Sequence, residues 1–367
     1  MIHNESRFSK FDKALLAFSV AVLVIALFLL PKESFRLIKQ ELGVSQNWTE
    51  YLKHGEISRL STEFEAENPN LSLVYRDEDG DVIAFSAPVT NEAAPELENI
   101  AEVASFINIL YYNIDMLKEA GFDRPPKNRN EFIDAAIKIE NKAKNIRGMG
   151  FSGNVFEDIL PWFWSAGVNG DWKSRASVGT LEFLQKLGES NIAGEEIFNS
   201  KMDDKLSFFC AGKCAFYIGS TLDIAIIEEK SPKFEWNLTA IPTPENYAGK
   251  PVFNVTSWEI GVSPLSEQKE EALIFLEFIN SRRDFIAQAA GAVPSDNAGE
   301  QQNPKDPLRL KARTLFEGAE IIHDTEFFNK PEQAAILFKN ELIKLWRGEQ
   351  SPKEAAAALD SSFNTDT

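Results

Sequence analysis

Cysteine and histidine are scarce in this sequence of 367 residues, with two of the first and three of the second. Cys210 and Cys214, within Phe-Phe-Cys-Ala-Gly-Lys-Cys-Ala-Phe, are too few for a disulfide scaffold and lack the second pair that a zinc site needs. They stand either as two buried small residues or as one disulfide. His3, His54 and His323 are far apart, and none adjoins a run of ligand-type side chains, so no metal is expected. Also missing are a Gly-x-Gly-x-x-Gly after a strand, a lysine-bearing phosphate loop and a Gly-x-Ser-x-Gly elbow. These absences remove the usual signatures of nucleotide and serine-nucleophile chemistry, and neither catalysis nor a cofactor is expected. Basic residues are short too, 38 against 56 acidic ones, for a net charge of −18. A body this acidic repels phosphate backbones, so no nucleic-acid partner is expected.

What the chain does have begins with one long apolar run. Residues 14–30 carry Ser19 as their only polar side chain, and Arg7, Lys10 and Lys13 precede them. At 1.5 Å per residue this run just reaches across a hydrocarbon core of about 30 Å. No small-x-small cleavage site follows, and no cysteine lies near its end for lipid attachment. Residues 1–31 are therefore read as an uncleaved signal anchor, with a cleaved signal or a buried helix as the alternatives. The globular part is then extracytoplasmic, held at the cell membrane through residues 14–30. A polar connector follows over residues 32–47.

The remainder alternates between the two periodicities. Ile57, Leu60 and Phe64 share one helical face over residues 56–68, which ends at Asn68-Pro69. Strands are predicted at 71–75, 81–85, 107–113, 149–152, 214–218, 238–242 and 258–262. Helices are predicted at 115–120, 130–143, 157–166, 178–189, 196–211, 221–229 and 266–280. The C-terminal third is helical, and its last helix opens on the capping box Ser351-Pro352-Lys353-Glu354. Strands spaced by helices predict an α/β architecture with mainly parallel sheets, and the length suits two lobes.

Several segments in a fixed order are more specific. They include Leu110-Tyr111-Tyr112-Asn113, Pro125-Pro126, Glu131-Phe132 and Gly212-Lys213-Cys214-Ala215-Phe216-Tyr217-Ile218-Gly219. Pro242-x-Pro244, Gly249-Lys250-Pro251, Trp258-Glu259-Ile260-Gly261-Val262-Ser263 and Gly291-Ala292-Val293-Pro294-Ser295 follow, and then Gly348 to Ala355. In this order they resemble family 1 of the extracellular solute-binding proteins, the maltose-binding-protein-like sugar-binding subunits of ABC importers. Phe64-Glu65-x-Glu67-Asn68-Pro69-Asn70 is similar to that family's first helix. The chain departs from the pattern between Asn70 and Tyr111, where 40 residues stand in place of a longer stretch. The resemblance thus implies a shortened N-terminal lobe.

The resemblance implies the two-lobed, type II periplasmic-binding-protein fold, preceded here by the N-terminal transmembrane helix. Lobe 1 takes residues 48–112 and 259–305, and lobe 2 takes 113–258 and 306–367, with chain crossings near 108–113 and 255–263. A small-molecule ligand, expected to be a sugar, sits between the lobes, and the partner is the permease of an ABC transporter. The alternative is a membrane-anchored sensor or interaction protein that has kept the fold and lost its ligand. Sugar sites join aromatic faces to orienting polar groups. Trp258, at the head of a hinge strand, either lines the cleft or packs in the core. Gly219, Ser220 and Thr221 mark a strand-to-helix junction where backbone donors can face a ligand, with Ser220 alternatively a plain helix cap. Phe156 and Glu157 fall at a strand end. In the adjoining aromatic run Phe163 is assigned to the core and Trp162 or Trp164 to the cleft, with Trp162 taken into the candidate set. Phe106 and Asn108, beside the first crossing, complete it.

Overall fold

The computed structural model describes residues 39–46, 52–76, 80–87, 97–198, 205–292, 306–322 and 331–363. The run at 14–30 lies outside them. Among the described residues no helix is long and apolar enough to cross a membrane.

Nine strands are described: β1 (Gln40–Ser45), β2 (Leu71–Arg76), β3 (Val82–Ala87), β4 (Glu98–Asn113), β5 (Arg147–Gly150), β6 (Cys214–Ser220), β7 (Trp236–Thr239), β8 (Val252–Val262) and β9 (Glu320–Ile322). They join in the order β2-β1-β3-β8-β4-β6-β5, with β7 also on β4 and β9 on β8. The expectation of mainly parallel sheets does not hold. β1 runs parallel to β2 and β3, as β5 does to β6 and β9 to β8, whereas β3–β8, β4–β8, β4–β6 and β4–β7 are antiparallel. The two longest strands cause this, because β4 and β8 lie side by side and run in opposite directions through both halves of the molecule. The connector predicted at 32–47 also needs correction. Its residues 40–45 form β1, which buries Leu42 and Val44.

One half is built on β1, β2, β3 and the adjoining parts of β4 and β8. The helix His54–Glu67 turns Leu60 and Phe64 inward, one helical turn apart. Phe64 meets Phe275 and Phe278 of the helix Lys269–Ser281 edge-on, with ring centroids 5.1 and 5.2 Å apart. That geometry suits the ring quadrupoles.

The other half packs β5, β6 and the end of β4 against the helices Arg129–Ile139, Arg175–Glu189, Pro331–Trp346 and Pro352–Phe363. Asn128 caps the first of these, its Oδ1 accepting from the Glu131 N–H at 3.0 Å. The helix predicted at 157–166 is two short ones, Val155–Asp158 and Leu160–Trp164, broken at Ile159. Pro161 accounts for the break, since it has no N–H to continue the first helix and fits the first turn of a new one.

Beneath the crossings Ile107, Ile109, Tyr111, Tyr217, Phe253 and Val255 form a third apolar cluster. A charged tie joins the halves there. Glu228 accepts from Lys53 Nζ at 2.8 Å and from Arg309 at 2.8 and 3.0 Å, and Arg309 also donates to the Gln288 carbonyl at 2.8 Å.

Candidate functional site

Side chains alternate along a strand, so residues two apart share a face. On β4, Ile107 and Ile109 point into the apolar cluster, which leaves Phe106 and Asn108 on the opposite face. On β8, Phe253 and Val255 point the same way as those isoleucines, leaving Asn254 and Thr256 beside Phe106 and Asn108. The register agrees, with Phe106 opposite Thr256 on one side and Asn108 opposite Ser220 on the other. Where β4 passes from β8 to β6, a cavity of about 280 Å³ opens. Its lining is Phe106, Asn108, Asn254 and Thr256 from the crossing strands, Gly219 and Ser220 from β6, and Phe156, Glu157, Trp164 and Asp223 from helices.

Six of the nine candidate residues therefore meet at one place: Phe106, Asn108, Phe156, Glu157, Gly219 and Ser220. The other three do not. Trp258 lies two residues beyond Thr256 on the same strand face, opposite Ala104, and is only 1% exposed in the core of the first half. Trp162 is fully buried, with its ring between Phe132 and Phe183 at centroid distances of 5.0 and 4.7 Å. Its carbonyl accepts from Arg129, a buried cation whose pKa falls to about 9 because burial disfavours its charge. Two positions along a helix turn by about 200°, so burying Trp162 presents Trp164 to the cavity instead. Thr221 is fully buried too. Its backbone N–H donates to the Ile107 carbonyl at 3.0 Å, and its hydroxyl has no hydrogen-bond partner among the described residues.

The floor of the cavity is acidic. Asp223 opens the helix Asp223–Lys230 and accepts from the Tyr217 hydroxyl at 3.2 Å. Gly219 makes room for it, because a Cβ there would lie 2.2 Å from Asp223 Oδ2 and 2.5 Å from the Tyr217 ring. Burial, and then the nearby Glu157 charge, outweigh Lys205 and the Tyr217 bond and push the Asp223 carboxyl up to about 7. Beside it Lys205 donates to Asp158 at 2.8 Å and contacts Glu157 at 2.9 Å. Burial pulls the Lys205 ammonium down, but the two carboxylates outweigh it and hold its pKa above the ordinary lysine value. Asp158, fully buried, also accepts from the Ser152 and Gly153 N–H groups at 2.7 and 2.8 Å. Glu157 keeps half of its side chain exposed. No lysine or arginine is among the described residues that line it.

Asp223, Asn254, Thr256 and Trp164 complete the lining beyond the candidate set. The sequence carries a signal for two of them, since Asn254 and Thr256 are the polar members of the alternation Phe253-Asn254-Val255-Thr256. Asp223 has only the weaker signal of an acid four residues after a glycine, at a helix start. Among the described residues no group of three or more His, Cys, Asp or Glu side chains is placed to hold a metal ion.

Known proteins share this architecture. A maltose-bound MalE3 of T. maritima superposes with a TM-score of 0.70 at 16% identity, over 88% of this chain and 99% of that one. The fold is thus the two-lobed α/β fold of solute-binding proteins. In sequence, a binding protein of Brucella abortus is 25% identical over 278 residues, 71% of this chain and 66% of its own length. The sn-glycerol-3-phosphate-binding periplasmic protein UgpB of Pectobacterium atrosepticum is 25% identical over 288 residues, 69% of this chain and 62% of that one. The chain thus spans somewhat under two thirds of the length of these relatives. The family profile described as bacterial extracellular solute-binding protein matches residues 60–284, well over half of the chain. With that extent of match on this fold, the chain belongs to the bacterial extracellular solute-binding proteins.

Proposed function

We propose that this chain is the solute-binding component of an ABC importer and that it holds a carbohydrate in the cavity at the crossing strands. The observation that carries this reading is the lining. The aromatic side chains Phe106, Phe156 and Trp164 stand among the neutral polar side chains of Asn108, Ser220, Asn254 and Thr256. A sugar offers an apolar ring face and a rim of hydroxyls, and such a lining suits both. A volume of about 280 Å³ lies just below the usual range of ligand sites, about 300 to 1,000 Å³. A single sugar ring is the natural size. The name of the Pectobacterium relative gives glycerol phosphate as its ligand, but here a phosphate would meet Glu157 and Asp223 with no cation among the described lining residues. That disfavours an anionic solute.

In this reading one lobe takes residues 48–112 and 259–305 together with β1 and Trp258, and the other takes the rest of 113–258 and 306–367. β4 and β8 are the hinge. A solute that touches both lobes shifts the molecule towards its closed form by its differential affinity for that form. Residues 14–30 hold the protein on the outer face of the membrane, beside the permease that reads the closed shape. No step of this cycle needs catalysis.

A thermal-shift screen with monosaccharides and glycerol 3-phosphate tests the reading. A sugar at a hundred times its dissociation constant adds about 2.7 kcal/mol of stability. Stabilisation by glycerol 3-phosphate alone would overturn the carbohydrate assignment. Stabilisation by nothing in the screen would favour a sensor or interaction protein that has kept the fold without its ligand.

A further inference from the structure

The cavity carries more negative charge than a neutral sugar calls for. Among the described residues Lys205 is the one cation at its floor, is itself buried, and is already engaged by both Asp158 and Glu157. Those two carboxylates exceed its single charge, and of the acids here Glu157 and Asp223 face the cavity while Asp158 lies buried behind it. The other titratable side chains beside Asp223 are the phenols of Tyr217 and Tyr111. Tyr217 donates to Asp223, and Tyr111 stacks on Tyr217 at a centroid distance of 4.9 Å and donates its hydroxyl to the Ser220 carbonyl at 2.8 Å. Nothing among the described lining residues supplies the missing positive charge, whereas Phe106, Phe156 and Trp164 bring aromatic rings of the kind on which ammonium groups rest.

We propose that the solute carries a protonated amino group, received between Glu157 and Asp223 against the aromatic side chains, so that the ligand class is amino sugars. The proposal rests on the reading of the cavity as a carbohydrate site and adds a charge requirement to it. An arriving cation would favour the ionised form of Asp223, which in the empty protein titrates at about 7. Binding therefore releases a proton, and acid opposes it. For a group of that pKa, affinity falls by about fifteenfold from pH 7.0 to pH 5.5. A neutral sugar offers Asp223 only hydroxyl donors and gains less from its ionisation than an ammonium does.

The experiment is calorimetric titration of the full chain with glucose, galactose and mannose, and with glucosamine, galactosamine and mannosamine, at both pH values. The expected result is that at least one amino sugar binds about tenfold or more tightly than its parent at pH 7.0, because charge-assisted hydrogen bonds are about twice as strong as neutral ones. That advantage shrinks at pH 5.5, and titration in buffers of different ionisation enthalpy shows proton release. Asp223→Asn should abolish the pH dependence. Glu157→Gln, at a half-exposed position, should reduce the amine preference with the fold intact, and it keeps the test decisive if the Asp223 variant does not fold. Equal or tighter binding of the parent sugars overturns the amine requirement and leaves the carbohydrate reading standing. Binding by none of the six sugars overturns both.

Discussion

Replacing Lys205 with methionine would leave the fully buried Asp158 carboxylate without its cation. Its bonds from the Ser152 and Gly153 N–H groups would remain, but those are neutral donors. Removing one partner of a buried ion pair costs about 3–5 kcal/mol, because the other charge stays desolvated and uncompensated. The lower figure alone raises the unfolding constant more than about a hundredfold, at about 1.4 kcal/mol per factor of ten. The double variant Lys205→Met/Asp158→Asn should recover most of the loss, since neutral groups of similar volume often replace a buried pair at little cost. Chemical denaturation followed by circular dichroism measures all three proteins. The cavity gives a second readout. Lys205 is the cation that draws the Asp223 pKa down, so in Lys205→Met that carboxyl should titrate above its present value of about 7. A loss below about 1 kcal/mol in the single variant, or no recovery in the double, would refute the buried-pair reasoning.

The other predictions separate packing from binding. Trp258→Ala should cost about 3–5 kcal/mol of stability, since its ring fills the first core, and calorimetry should show no matching loss of contact energy with the solute. Trp164→Ala should weaken sugar affinity by about thirtyfold, the usual effect of losing an aromatic platform worth about 2 kcal/mol. Gly219→Ala puts a methyl where the Asp223 carboxylate and the Tyr217 ring now sit. It should lower affinity and cost about 1–3 kcal/mol in denaturation. Asp223→Asn should stabilise the empty protein, and more so at pH 8 than at pH 5. The folded state raises this acid's pKa from its ordinary value to about 7, so its unfavourable contribution grows as pH rises through that interval. Glu259→Gln should stabilise by about 0.2–1 kcal/mol, because Glu259 lies directly opposite Glu102, and burial and that neighbour together hold its pKa up.

Much of this architecture is legible in the sequence where one periodicity has a whole segment to itself. The helix around Leu60 and Phe64 and the strand from Cys214 are examples. What escapes is the functional part of the two crossing strands. The sequence reading begins β4 only at Ile107 and β8 only at Trp258, whereas they start at Glu98 and Val252. Each missed half interrupts its apolar pattern with polar side chains. In β8 these include Asn254 and Thr256, which are polar because they face the cavity. The features that make the strand useful thus hide it from a pattern search. Trp258 misleads in the opposite way. Its place at a strand head suggests a ligand platform, but the strand extends six residues further back, and this puts Trp258 inside the core. β1 is short, with two buried apolar side chains, and its parallel pairing with β2 and β3 makes it a strand.

The central claim is that one solute bridges the two halves at the crossing strands. A crystal structure with the most stabilising sugar from the screen tests this most directly. The account predicts the sugar in contact with Phe106 on one side and with Ser220, Asp223 or Trp164 on the other. A sugar bound elsewhere, or touching only one half, would contradict it.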